Sequence, residues 1–239
     1  MSARPAVPLF AALVLLLPGC GSTRSVERQV DSGAEPLPQP NPAEDRRIHL
    51  DLIRRMIAQD QNYAALAHIQ AQQRIGNSDE LRLLEADVRR KLGQLAAAQQ
   101  LYQGLLTTSF AAQAYHGLGL ITASRDPAQS LAYLRRAVQL APTEVELRND
   151  LGYALMLARR YPEALPELST AVELGPNSEK SRNNLVILMI LMRDERAVQR
   201  IVRESNVDAS TLAGLRKQAQ NLATSSLPAS TAPKPKVAG

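Results

Sequence analysis

The chain has no tryptophan, two phenylalanines and six tyrosines, so aromatic residues fill only 3% of its 239 positions. Glycine is sparse at 12, cysteine occurs once, and histidine three times. Each shortage excludes something. Few aromatic and β-branched residues leave little material for strands. One cysteine cannot close an internal disulfide. The histidines, His49, His68 and His116, show no metal-ligand spacing with one another and have no cysteine beside them, so no metal site is expected. There is no Gly-rich phosphate loop and no G-x-S-x-G elbow. Carboxylates such as Glu144, Glu146 and Glu163 fall on helix faces where solvation is the default. Nothing supports catalysis, so a chain that is not an enzyme is expected, with no cofactor and no small-molecule substrate.

What is present is a helix-forming palette of Ala, Leu, Gln, Arg and Glu, which points to an all-α fold. The net charge of +5 raises the question of nucleic acid. The basic residues, however, come as scattered pairs (Arg54-Arg55, Arg89-Arg90, Arg135-Arg136, Arg159-Arg160). Several sit where a helix ends, and cations there complement the helix dipole. No nucleic-acid-binding motif accompanies them, and no such partner is expected.

The N-terminus reads MSARPAVPLFAALVLLLPGC. Its apolar run, Phe10 to Leu17, is too short for a mature membrane-spanning helix and reads as an export signal over 1–19. Leu17-Pro18-Gly19-Cys20 resembles the bacterial lipobox, with Pro18 as its one unusual residue. That resemblance implies lipidation of Cys20, and several acyl chains anchor a protein firmly where one does not. Gly21 stands where many such lipoproteins carry the Asp of inner-membrane retention, which implies the outer membrane, facing the periplasm. Residues 20–44, Pro-rich near their end, read as a tether. Residues 225–239 read as a disordered tail.

Between these segments, 45–224, the sequence repeats itself. Leu151 recurs as Leu185, and Leu134, Ala137 and Pro142 recur as Leu168, Ala171 and Pro176, each 34 positions on. Gly119 matches Gly152 at 33, where the loop SRDPAQ is one residue shorter. Within one unit two amphipathic stripes lie back to back. Leu147, Leu151, Ala154, Leu155 and Ala158 form the first; Tyr161, Ala164, Leu165, Leu168, Ala171 and Val172 form the second. ARRY is the turn between them, and Gly175-Pro176 ends the unit, with Gly175 suited to a left-handed helix end. The pattern resembles the tetratricopeptide repeat (TPR), which implies a superhelical solenoid of antiparallel helix pairs. The units fall at about 46–77, 79–110, 111–143, 145–178 and 179–204. A capping helix follows over 208–224, with Asp208 as its N-cap.

A TPR solenoid implies a concave face built from the first helix of each unit. The register puts Asn149, Tyr153, Met156, Asn183, Ile187 and Ile190 on it. Further back come His116 and Leu120, then Leu83, Asp87 and Arg90. The groove should turn from polar to apolar along the chain, and the run LVILMILM, 185–192, is either covered on every side or part of a partner site. Asn149 and Asn183 are expected to bond a partner's backbone rather than merely a neighbouring helix. A lipid-tethered TPR array resembles the TadD-like lipoprotein of the tight-adherence (Flp) pilus system and, less closely, the PilF-like pilotins of type IV pili. The stretch NDLGYALMLARRYPEALPELSTAVELGPNSEKSRNNLVILM looks more like the former. That resemblance implies an assembly factor whose partner is a secretin or another pilus-assembly protein. A general envelope adaptor, recruiting peptidoglycan or protein-processing enzymes, is the alternative.

Overall fold

The computed structural model describes residues 41–224. The signal segment, Cys20, most of the tether and the 225–239 tail lie outside the described residues. Among those described there are eleven helices and no strand. They are α1 (Pro42–Ala58), α2 (Asn62–Ile75), α3 (Asp79–Lys91), α4 (Leu95–Gln103), α5 (Ala111–Thr122) and α6 (Pro127–Leu140). Then come α7 (Val145–Leu157), α8 (Tyr161–Leu174), α9 (Glu179–Leu191), α10 (Glu195–Glu204) and α11 (Ala209–Thr224). The first helix begins at Pro42, so the tether read as ending at 44 gives way to helix slightly earlier. None of these helices is long and apolar enough to cross a membrane.

The helices pair α1 with α2, α3 with α4, and so on to α9 with α10, and the second helix of each pair packs on the first of the next. Three apolar clusters run in series through the stack. Ile53, Ile69 and Val88 centre the first, across α1 to α3. Ala98, Tyr102 and Leu118 centre the second. The third, from α5 to α11, holds Leu134, Leu151, Leu168, Val186 and Leu188. This is how repeats that cannot bury an apolar face alone acquire a continuous core.

The turn inside each unit is written with local chemistry. Asp60, Gly93, Arg159 and Arg193 all have positive φ, 50-odd to 75°, at the same register position. Behind each, a backbone N–H reaches five residues back: Gln61 to Met56, Gln94 to Arg89, Arg160 to Leu155 and Asp194 to Met189. That is the Schellman closure, which satisfies carbonyls a helix end would otherwise orphan. The α5–α6 turn, residues 123–126, breaks the series. Asp126 there has φ −142° and its carboxylate caps α6 by accepting from Gln129 N–H, with Pro127 at the first helical position. Ser78, Ser178, Asp194 and Asp208 cap α3, α9, α10 and α11 in the same way.

Gly175 departs from expectation. Its φ is −128°, so it is not a left-handed helix end. A Cβ there would stand 2.9 Å from Val145 Cγ1, so the residue is small because the start of α7, the first helix of its own unit, passes close. Gly152 is small for a similar reason, since a Cβ would meet Leu168 Cγ at 2.6 Å. The two helices of that unit touch through this point.

Candidate functional site

The odd-numbered helices are the first helices of their units. They lie beside one another, α1 by α3, α3 by α5 and α7 by α9, and their shared face is where the register puts a groove. Between α1, α3, α5 and α7 that face holds a recess of about 260 Å³. Asp87, Arg90, His116 and Glu146 are among its walls, with Ile57 and Leu147 as apolar contributions. The polar half of the predicted groove is therefore present and open. A larger recess, about 360 Å³, lies between α3 and α4 of a single unit. Its Glu85 already accepts from Gln73 and Arg89. Only the smaller one spans several units, as a partner site in a repeat array does.

The floor of the spanning recess is rigid. Tyr102 of α4 is fully buried, and its hydroxyl donates to Asp87 Oδ1 at 2.6 Å while accepting from Arg90 Nε at 3.3 Å. Burial raises the Asp87 carboxyl, and its hydrogen bond to Tyr102 and the nearby Arg90 charge offset that only in part. Burial and the Asp87 carboxylate together push the Tyr102 phenol far above its usual range. Both side chains are locked as supports, not offered as acids or bases.

One wall carries a ladder across three units. His116 Nε2 on α5 lies 2.8 Å from Asp150 Oδ2 on α7. Asp150 Oδ1 accepts from Lys180 Nζ of α9 at 2.8 Å and from Asn149 Nδ2 at 2.9 Å. Asn149 Oδ1 in turn accepts from Asn184 Nδ2 at 2.9 Å. Burial alone would raise the Asp150 carboxyl; the hydrogen bonds and charges of His116 and Lys180 outweigh it and hold it down at about 2.

The residues expected to face a partner divide. Asn149, Met156 and Ile187 are interior, with 1, 2 and 1% exposed, and that expectation is corrected. Asn149 spends both ends of its amide on Asp150 and Asn184, inside the array. Met156 and Ile187 belong to the third core cluster, which α11 completes with Leu215 and Ala219. Tyr153 and Ile190 are half-buried against that cluster. Asn183 is half-buried as well, and its Oδ1 is shielded with no partner among the described residues, so it does not extend the ladder. The physical reason lies in α11, which packs on α9 and sends its last turn back to the α7–α8 turn, where Arg159 donates to Ala223 O at 2.9 Å. The apolar half of the face is filled by the chain itself. Leu185 to Met189 are all buried, so the eight-residue apolar run is core, and only Met192 at its end remains clearly exposed.

Sequence reasoning missed the cluster of His116, Glu146 and Asp150, whose ligand atoms all lie within 4.8 Å of one another. His116 and Asp150 are 34 positions apart, one off the 33-residue step that pairs Gly119 with Gly152 in these helices, so the repeat register pointed to Asn149 instead.

Comparison with known proteins fits this architecture. The tetratricopeptide repeat family profile matches residues 122–183. A TPR repeat-containing protein of Pseudomonas aeruginosa is 30% identical over 225 residues, spanning 92% of this chain and 86% of that one. The chain belongs to the TPR repeat-containing proteins. Solved TPR structures share its fold. A thermophilic TPR protein of Thermus thermophilus superposes with a TM-score of 0.59 at 19% identity, over 74% of this chain and 98% of that one. YrrB, described as a TPR protein with an unusual peptide-binding site, gives 0.50 at 16% identity, over 71% and 90%. TPR arrays are protein–protein interaction scaffolds, and this TPR chain is one.

Proposed function

We propose that this TPR array is a lipid-anchored assembly factor of the bacterial outer membrane that holds a segment of a Flp-pilus component, a secretin first among them. The observation that carries the binding part is the recess across α1, α3, α5 and α7. It is the open stretch of the odd-helix face, it is lined by charge of both signs, and its walls are fixed by Tyr102 and Asp150 rather than by flexible side chains alone. A prearranged polar surface loses little entropy when an extended segment docks. The anchoring part rests on Leu17-Pro18-Gly19-Cys20, and the choice of pilus system on the resemblance of residues 149–189 to the tight-adherence lipoproteins. In this reading the protein binds and escorts, with no chemistry of its own.

The partner-binding residues move accordingly, from the C-terminal asparagines to Asp87, Arg90, His116 and Glu146. The test is co-purification from envelope extracts with the tagged full chain. Recovery of the secretin by wild type, weakened by Arg90→Ala with Glu146→Lys, supports the reading. Recovery of a peptidoglycan hydrolase or a protease in its place supports the envelope adaptor. Membrane fractionation of Cys20→Ser separates the anchor from the binding. If that variant stays with the outer membrane, the lipid is not what holds the protein there.

A further inference from the structure

The cluster on the recess wall has a composition that peptide docking does not require. Glu146 and Asp150 stand one helical turn apart on α7, so both carboxylates emerge from one helix face, and His116 meets them from α5 of the preceding unit. An i, i+4 pair of ligands on one helix with a third from a neighbour is a common way for helices to hold a metal. We propose that His116, Glu146 and Asp150 bind a divalent transition-metal ion of the Zn²⁺ type.

Four features carry the assignment. Two carboxylates and an imidazole form a nitrogen–oxygen set that suits Zn²⁺ better than Ca²⁺ or Mg²⁺, which call for more oxygens. The side chains of His116 and Asp150 are each only 13% exposed, so most of the ordering is complete before an ion arrives. Asp150 is divided between two tasks. Its Oδ1 is held by Asn149 and Lys180, and its Oδ2 is turned to His116, where a metal would enter between them. The neutral Asn149 amide, supported in turn by Asn184, fixes that carboxylate's orientation as outer groups of metal ligands do. Finally, Glu146 is exposed on the recess side, where it can swing by a rotamer to close the set. Tetrahedral bonds of about 2 Å put two ligand atoms about 3.3 Å apart, so the 2.8 Å His116–Asp150 pair need open only slightly. The imidazole must then carry its proton on Nδ1, leaving the Nε2 lone pair to the ion. Three protein ligands leave a fourth position toward the recess, for water or a donor group of a docked segment.

Isothermal titration of the metal-stripped full chain in detergent with Zn²⁺ alone tests this. One equivalent is expected, together with Co²⁺ absorption bands of a tetrahedral site. Glu146→Gln changes an exposed residue and so keeps the fold; it should weaken Zn²⁺ at least tenfold. His116→Ala and Asp150→Asn should each weaken it a hundredfold, with circular dichroism confirming helix content. Glu163→Gln, a carboxylate engaged by Arg160 and Arg135 on the outer surface, should leave it unchanged. Absence of stoichiometric binding overturns the proposal. So does binding that survives Glu146→Gln and His116→Ala undiminished, which would put the ion at His49 or His68.

Discussion

The two ends of the odd-helix face use the same repeat position for opposite purposes. Around α3 and α5 it carries Asp87, Arg90 and His116 and stays open. On α9 the matching positions carry Asn183 and Ile187, and the helix is enclosed by α7, α8, α10 and α11. A repeat unit fixes where a side chain points, but the neighbours decide whether that direction ends in water. Among the described residues no further helix pair follows α10, so the apolar face of α9 must be covered by something, and α11 is the piece this chain provides.

Removing α11 is the sharpest way to break the comparison. A chain ending at Val207 loses Leu212, Leu215 and Leu222, each of which packs on the third cluster. At about 1.5–3 kcal/mol for a fully buried leucine, and less for those half-buried, the loss is roughly 5 kcal/mol. Thermal unfolding should fall sharply, with dye binding to the uncovered α9. An unchanged melting temperature would mean α9 needs no cover. Next comes Ile187→Ala, expected to cost about 2–5 kcal/mol in urea unfolding because it leaves a cavity. The same register position at Asp87 faces the recess, and a groove residue of that kind at 187 would show under about 0.5 kcal/mol.

Asn149→Ala should cost about 1–3 kcal/mol, since it leaves Asn184 Nδ2 without its acceptor and Asp150 without one donor. If it weakened only partner binding and left unfolding untouched, the asparagine would belong to the groove after all. Smallest is Asp208→Ala, which removes the acceptor of Thr211 N–H at the start of α11 and should lower the melting temperature less than any of the changes above. Aspartate at that cap also accepts from the Ser210 and Thr211 hydroxyls, which hold its carboxyl well below the usual range.

Much of the fold was legible because it is local. Leu151, Gly152, Ala164, Leu168 and Ala171 declare both helices and their contact within one unit, and Asp208 declares where α11 starts. The site was legible only in part. Periodicity placed Asp87, Arg90 and His116 on the odd-helix face, where they are. It could not tell Asn149 from Asp150, neighbours of which one turns into the α9 interface and the other toward His116. Nor could it show that α11 packs on α9, because that contact depends on the path of the 205–208 connection, which repeats nothing. Gly175 was read as backbone freedom, when its smallness serves the passage of Val145.

The ladder from His116 through Asp150 and Asn149 to Asn184 also bears on how the molecule comes apart. Solenoids usually melt like beads coupled only to their nearest neighbours, fraying from an end. Here one run of hydrogen bonds links three successive units, and Arg159 ties the last helix to a turn two units earlier. The C-terminal units are thereby joined into one cooperative block. Hydrogen exchange should show α5 to α11 opening together, while α1 and α2, outside that brace, exchange first.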